Sequence, residues 1–208
     1  MTRSREVDRR RTLLMICDCH ERYREGTHGF TLMAQSIRKM VIASRMATLL
    51  TEQNGSGPTA KEIRSELTGP HFLGTYGKDC FSMITDEVRP LLKNYDNIIL
   101  VGIEAHVCIL QTALDLLEED RFHKRVYILA DCISACHELE IPLALDRMRD
   151  SGAVVTTSEA ILFQLMGDGT NFDDKFISEL IKEERENTAK ALETLLPHPS
   201  NTAAIKKT

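Results

Sequence analysis

Tryptophan is absent from this chain, and aromatic residues make up only 5% of it. Proteins that hold single-stranded nucleic acid stack bases on aromatic rings and track the backbone with a basic stripe. Neither feature is available here, because 31 Asp and Glu outnumber 26 Lys and Arg and leave a net charge of −5. A nucleic-acid partner is therefore not expected. No apolar run approaches the ~20 residues that a membrane span requires, so no membrane partner is expected either. A secretory signal pattern is also lacking. The segment from Met1 to Arg11 is Arg-rich, yet it contains Glu6 and Asp8 and is too short for a transit peptide. These absences lead to an expectation of a cytoplasmic protein.

The C-x2-C pairs of structural zinc sites are missing as well. The six cysteines are Cys17, Cys19, Cys80, Cys108, Cys132 and Cys136, which form one C-x-C and one C-x3-C. Several lie inside strand-like or helix-like runs, where free cysteine usually serves as a small buried hydrophobe. Reduced thiols, no metal and no cofactor are the expectation.

Hydrophobic residues at 42% and charged residues at 27% describe an ordinary globular chain, and 208 residues suffice for one domain with a substantial core. No repeat, low-complexity block or linker divides it. A flexible end at 1–11, one domain at 12–195 and a disordered polar tail at 196–208 are expected. Thr12 to Cys17 is an apolar run that reads as a buried strand, with Asp18 directly after it. Asp18 is either a functional acid at a strand end, a turn cap, or a partner for Arg22 or Arg24. Phe30 to Leu50 has the spacing of one long helix, although its end, Ala47 to Leu50, equally suits a strand. The Asn54–Thr59 segment reads as a loop over the crevice, with Thr59 and Glu62 at capping-box spacing. Lys78 follows the glycine-flanked Gly74-Thr75-Tyr76-Gly77, and a lone lysine there is ordinarily solvated. Thr85 to Lys93 reads as a short helix.

The stretch from Asn97 to Glu119 is the most informative. Ile98 to Val101 is a second buried strand, closed by Gly102. Val107, Leu110, Leu114 and Leu117 then follow a helical step. Cys108 sits where that helix begins, near unpaired backbone N–H groups and the positive end of the helix dipole, which favour a thiolate and can receive an oxyanion. It is the candidate nucleophile. Arg125 to Ala130 is a further strand ended by Asp131, with Asp131–Cys136 expected as a crevice-side loop. Glu140 to Ser151 reads as a helix and Ala153 to Thr156 as a short strand. Ser158 is expected to cap the next helix, and Phe172 to Leu195 to form one final amphipathic helix. Strands and helices alternating about five times imply a parallel sheet covered on both faces.

Five separated segments together carry a family resemblance: ICD near the start, TEQ with GPT, KDCFSM, LVGIEAHVCILQTALDLL and RMRDSGAVVTTSEAILFQL. Over roughly residues 13–180 the chain resembles the isochorismatase-like hydrolases, especially the isochorismatase domain-containing branch. The resemblance implies a three-layer α/β sandwich with a mostly parallel central sheet of Rossmann-like topology. It implies a triad of Asp18, Lys78 and Cys108, a helix from about Thr31 to Ser44, a strand from about Met46 to Thr51, and a cis peptide near Ile103-Glu104. It also implies a homo-oligomer, a dimer or larger.

Departures from the family pattern also matter. The branch has Asp-x-Gln after its first strand, whereas this chain has Asp18-Cys19-His20. The Asp and His zinc ligands of nicotinamidase-type members have no counterpart in Thr51-Glu52-Gln53, and Cys108 points away from vinyl-ether cleavage. His20, Glu52, Gln53, Phe81, Ile103 and Glu104 are expected to line the pocket. His106 is expected to be wall or structural. With the triad implied, the expected chemistry is hydrolysis of a small amide through a thioester, with the Val107 and Cys108 N–H groups receiving the oxyanion. The alternative is a catalytically weak binding or scaffold protein on the same fold.

Overall fold

The apolar runs become strands of one sheet. In the computed structural model, which describes residues 7–118, 124–166 and 172–196, the strands are β1 (Thr12–Cys17), β2 (Ala47–Gln53), β3 (Phe72–Lys78), β4 (Asn97–Gly102), β5 (Arg125–Ile133) and β6 (Val154–Thr156). Their order is β3-β2-β1-β4-β5-β6, and every pairing is parallel. The helices are α1 (Phe30–Ser44), α2 (Lys61–Arg64), α3 (Leu110–Glu118), α4 (Glu140–Asp150), α5 (Ser158–Met166), α6 (Phe172–Glu183) and α7 (Arg185–Leu195).

β1 shows how the layers arise. Strand residues alternate faces, so Leu14 and Ile16 pack with Met33, Ile37 and Met40 of α1, Ile161 of α5 and Ala191 of α7. Leu13, Met15 and Cys17 point the other way and pack with Ala113 and Leu116 of α3 and Leu145 and Met148 of α4. Both faces are covered, which explains why the central strands are apolar throughout rather than alternating. The expected three-layer α/β sandwich with Rossmann-like strand order is therefore what the chain adopts.

Strand order also positions the site. After β1 the chain moves outward to β2 and β3, then returns to place β4 on the other flank of β1. Ligand crevices of open α/β sheets lie at such a reversal, beyond the carboxyl ends of the strands. Asp18 follows β1 there, and Cys108 lies six residues after the end of β4.

The helix and strand implied between Thr31 and Thr51 are observed as α1 and β2. Other expectations change. Lys78, expected to be solvated, ends the edge strand β3 (Phe72–Lys78), whose glycines are tolerated because only one neighbour pairs with it. Thr85–Lys93 is not an α-helix; a 3₁₀ turn at Arg89–Asn94 takes its place, with Pro90 at its start. The expected single final helix is two, divided at Glu184. Asp131 to Ile133 continues β5 instead of opening a loop. Thr59 does not cap with Glu62: its N–H and hydroxyl both donate to Glu52 Oε1, and Glu62 pairs with Arg24 at 2.8 Å. Ser158 does not cap α5 either. Its hydroxyl and N–H donate to Asp131, while the Thr157 hydroxyl accepts from the Ala160 N–H at 3.3 Å. The terminal segments expected to be flexible or disordered fall mostly outside the described residues, although Val7 is buried in the core.

Candidate active site

Three elements deliver the Asp18, Lys78 and Cys108 side chains to one place. Asp18 leaves β1 with φ of 49°, in the left-handed region that Asp tolerates better than most residues. Its N–H donates to the Thr51 carbonyl at 3.1 Å. Lys78 is the last residue of β3 and stands beside Gln53 of β2 in the parallel register. Cys108 comes from a π-helical turn at Ala105–Ile109 that leads into α3. Such one-turn π segments occur often at functional sites.

Gly102 makes the junction possible. With φ of +117°, a Cβ at this position would lie 2.1 Å from the Cys17 carbonyl oxygen, so only glycine lets β4 approach β1 this closely. Ile103 N–H then donates to the Cys17 carbonyl at 3.0 Å. The Ile103-Glu104 peptide is cis, at the position the family resemblance implied.

Lys78 is the hub. Its Nζ lies 2.6 Å from Asp18 Oδ2 and donates to Gln53 Oε1 at 2.9 Å, to the Cys80 carbonyl at 3.0 Å and toward Cys108 Sγ at 3.6 Å. The other carboxylate oxygen, Asp18 Oδ1, accepts from the Thr51 hydroxyl at 3.0 Å. Asp18, Lys78 and Cys108 are all buried, Cys108 being the most exposed at 8%. A buried charge is costly unless paired and hydrogen-bonded, and Lys78 and Asp18 satisfy both conditions through each other. Burial works against the Lys78 charge, but the anionic forms of Cys17, Asp18 and Cys108 outweigh it and hold its pKa above that of an ordinary lysine.

The two thiols in the site are driven apart. A hydrogen bond from the Cys17 thiol, opposed by burial and aided by the Lys78 charge, holds Cys108 below the ordinary thiol pKa. Burial, followed by that same bond to Cys108, pushes Cys17 well above it. Cys132 is raised mainly by burial, as is Cys19. Cys108 is thus the thiol suited to nucleophilic attack. The Cys17 and Cys108 sulfurs and an Asp18 oxygen lie within 4.8 Å of one another, a metal donor set by distance. Lys78 already pairs with that carboxylate, so a cation there would meet a buried like charge, and the set does not fit one.

The remaining expected residues divide by role. Gln53 joins the site through Lys78. His20 is fully buried and acts as a clamp: its Nδ1 lies 2.6 Å from the Gly57 carbonyl and its Nε2 accepts from the Gln53 N–H at 3.0 Å. These partners fix the neutral tautomer that donates from Nδ1. Glu52 bonds to Thr59 and holds the 54–59 loop. Glu104 Oε2 accepts from the Cys136 N–H at 2.8 Å, which ties the turn before Cys108 to the segment after β5. Ile103 is buried, and Phe81 is 63% exposed beside the site's loop. His106 Nδ1 is buried without a hydrogen-bond partner and lies 3.9 Å from Glu104 Oε2, consistent with a wall position. The Val107 N–H, expected as an oxyanion donor, donates to the Glu104 carbonyl at 3.1 Å. Cys108 N–H is the remaining candidate of that pair.

Cys17 and Thr51 were missed from the sequence. Cys17 sits in an apolar run and reads as core, whereas Thr51 opens the polar Thr51-Glu52-Gln53. For Cys17 the signal was available, since strand alternation turns it toward the α3 side, where Cys108 lies.

Residues 12–160 match the Isochorismatase domain family. The chain belongs to the isochorismatase family. It is 35% identical to bovine isochorismatase domain-containing protein 2 over 181 residues, 83% of each chain. Among solved structures it is similar to the MAR1 ribonuclease of Caenorhabditis elegans, with 31% identity, a TM-score of 0.80, and coverage of 85% of this chain and 92% of that one. The YcaC protein of Escherichia coli, described as an octameric hydrolase of unknown specificity, shares the fold at 16% identity and a TM-score of 0.69 over 99% of this chain and 98% of its own. Isochorismatase-like hydrolases thus supply the family frame. Among the described residues no helix is long and apolar enough to cross a membrane.

Proposed function

We propose that this isochorismatase-family chain is a cysteine hydrolase that cleaves a small amide-type substrate through a thioester, with Asp18, Lys78 and Cys108 as its triad. The observation that carries the proposal is the position of the Lys78 ammonium, 2.6 Å from Asp18 Oδ2 and 3.6 Å from Cys108 Sγ in a buried site. A packing thiol has no need of a buried lysine and a carboxylate held at that distance.

In the first step Asp18 takes the Cys108 proton and the sulfur attacks the carbonyl carbon. The oxyanion is received by the Cys108 N–H at the start of the helical turn, a contribution of about 3 kcal/mol per donor in sites of this kind. Collapse breaks the C–N bond, and the amine leaves with the proton held on Asp18. Water, deprotonated by Asp18, then attacks the thioester carbon and releases the acid and the Cys108 thiol. Lys78 keeps its proton throughout and holds the carboxylate and the sulfur in register. A single domain at 12–195, a cytoplasmic location and a homo-oligomer accompany this reading. For the last, Leu139 and Leu143 are exposed four residues apart at the start of α4, and the related YcaC is octameric.

The test is a panel of small primary amides, carbamoyl compounds and a single-stranded RNA, run on the wild type and on Cys108→Ala and Asp18→Asn variants. Amide turnover that disappears in both variants, with an acyl adduct on Cys108 seen by mass spectrometry, is the expected result. The RNA arm is included because the Caenorhabditis elegans relative is described as a ribonuclease. RNA cleavage without amide turnover would overturn the amide reading. Slow labelling of Cys108, no faster than the other thiols, would favour a binding or scaffold role instead.

A further inference from the structure

Cys17 is not used in the hydrolytic cycle, yet its sulfur lies within 4.8 Å of Cys108 Sγ. The two residues sit on neighbouring elements locked together by the Gly102 junction and by the Ile103 N–H bond to the Cys17 carbonyl. Cys17 is fully buried, while Cys108 retains 8% exposure at the crevice. A small oxidant from solvent therefore meets Cys108 first. The other thiols are differently placed. Cys19 donates to the Cys17 carbonyl and packs in the α1 core, Cys132 is in the same core, and Cys80 and Cys136 are exposed.

We propose that Cys17 and Cys108 form a hydroperoxide-responsive pair, in which oxidation of Cys108 is captured by Cys17 as a disulfide that switches the nucleophile off. The proposal rests on Cys108 being the activated thiol of the hydrolase described above. In the first step the Cys108 thiolate attacks one oxygen of hydrogen peroxide. An S–O bond forms, the O–O bond breaks, two electrons pass from sulfur to peroxide, and hydroxide leaves to become water with the proton from the Cys108 thiol. The product is a Cys108 sulfenic acid. In the second step the Cys17 sulfur attacks the Cys108 sulfur. An S–S bond forms, the S–O bond breaks, and the departing hydroxyl takes the Cys17 proton and leaves as water. Two thiols and one peroxide thus give one disulfide and two waters.

The geometry suits capture for two reasons. Sulfurs in a disulfide are about 2 Å apart, so a rotamer change at Cys108, which sits in a turn rather than in the sheet, closes the remaining gap. Cys17 cannot move away, because β1 is paired on both flanks. The opposite perturbation of the two thiols assigns their order: Cys108 is held low and Cys17 is raised. The thiolate attacks the peroxide, while Cys17 stays protonated and unreactive until Cys108 is sulfenylated, when it gives its proton to the departing hydroxyl as its sulfur attacks. The disulfide would protect Cys108 from further, irreversible oxidation to the sulfinic acid.

The experiment uses the full chain, reduced and then treated with equimolar hydrogen peroxide, with peptides mapped under non-reducing conditions. The expected result is a Cys17–Cys108 cross-link, loss of two of the six thiols, and loss of Cys108 alkylation by iodoacetamide, all restored by dithiothreitol. In Cys17→Ser, Cys108 should instead accumulate a dimedone-reactive sulfenic acid, then a sulfinic acid that dithiothreitol does not reverse. Wild-type protein that is oxidised at Cys108 while Cys17 stays free, or that links Cys80 to Cys108, overturns the proposal; neither readout depends on a variant folding. Reduced Cys108 that alkylates no faster than the other thiols overturns both this proposal and the hydrolase reading. Fast alkylation with no Cys17–Cys108 link overturns this one alone.

Discussion

Two buried aspartates occupy matching places in this fold and meet different partners. Asp18 follows β1, and Asp131 lies near the end of β5, both beyond a run of apolar strand residues. Asp131 is met by the Ser158 hydroxyl and N–H and, more distantly, by the Cys132 thiol at 3.9 Å, so it anchors the first turn of α5. Asp18 is met by the Thr51 hydroxyl on one oxygen and by the Lys78 ammonium on the other, with Cys108 Sγ beyond the lysine. The difference lies in topology. β1 and β4 flank the reversal in strand order, where chain segments diverge and leave a crevice, whereas β5 is covered by the helix that follows β6. Position at a strand end makes an acid available. The partners brought by other elements decide whether it anchors or reacts.

Exchanging each acid for its amide should separate the two roles. In the proposed mechanism Asp18→Asn removes the base, and amide turnover should fall about a thousandfold. Asp131→Asn should leave the rate per folded molecule within a few-fold of wild type. Measuring kcat on the folded fraction, established by circular dichroism, checks the contrast. An Asp131→Asn enzyme as inactive as Asp18→Asn would erase the distinction.

Thiol ionisation sharpens it further. Cys108 is held below the ordinary thiol pKa, so its alkylation rate should rise with pH earlier than that of an exposed thiol such as Cys136, whose pKa burial pushes upward. Among the causes at Cys108, the Lys78 charge lowers the pKa and the Asp18 charge raises it. Lys78→Met removes a positive neighbour, disfavours the thiolate and should move the alkylation profile to higher pH. Asp18→Asn removes a negative neighbour and should move it to lower pH. The Asp18→Asn enzyme is then expected to hold a more reactive thiol while turning over almost no substrate, which separates the base from mere ionisation. An upward shift in Asp18→Asn would break the assignment. Asp131→Asn should not move the profile at all.

How far this contrast could be read from the sequence depends on the kind of signal. β1, β4 and β5 were legible because a strand buried on both faces must be apolar throughout, and the two strand-end acids were visible with them. What distinguishes the acids was not, since Thr51, Lys78 and Ser158 reach them from distant segments. The boundary between α1 and β2 could not be read from periodicity; it came from the family resemblance. β3 was lost because an edge strand carrying Gly74 and Gly77 has the composition of a loop, and with it the reason Lys78 points inward. The break at Glu184 was lost because α6 and α7 share an amphipathic pattern across it. The grouping of Asp18, Lys78 and Cys108 was legible through the resemblance. Cys17 has apolar neighbours and only strand alternation marks it as facing Cys108, and the engagement of the Val107 N–H by Glu104 depends on turn geometry that spacing does not encode.

On stability both acids should matter. Asp131→Asn leaves the Ser158 hydroxyl and N–H facing an amide in a fully buried site, and loss of a charge-assisted acceptor there costs about 2 kcal/mol. Thermal unfolding should show α5 loosening, with a lowered midpoint. Asp18→Asn leaves the fully buried Lys78 ammonium without its carboxylate, which costs about 3 kcal/mol or more, so its stability loss should be the larger of the two. A smaller loss for Asp18→Asn would mean that Lys78 finds another partner or gives up its proton.

The smallest contrast is carried by one hydroxyl on each side. Ser158→Ala removes the donor to Asp131 Oδ2 and keeps the backbone N–H bond to Oδ1. The expected cost is about 1 kcal/mol of stability with activity unchanged. Thr51→Ala removes the donor to Asp18 Oδ1 while Lys78 continues to hold Oδ2. The carboxylate is then fixed at one point instead of two and can turn about its bond to Cβ. Because alignment of the base with the thiol is what that second point secures, kcat should fall about tenfold with KM little changed and the melting temperature near that of wild type. Equal effects of the two hydroxyls on stability, with no split in kcat, would place Asp18 among the structural acids alongside Asp131.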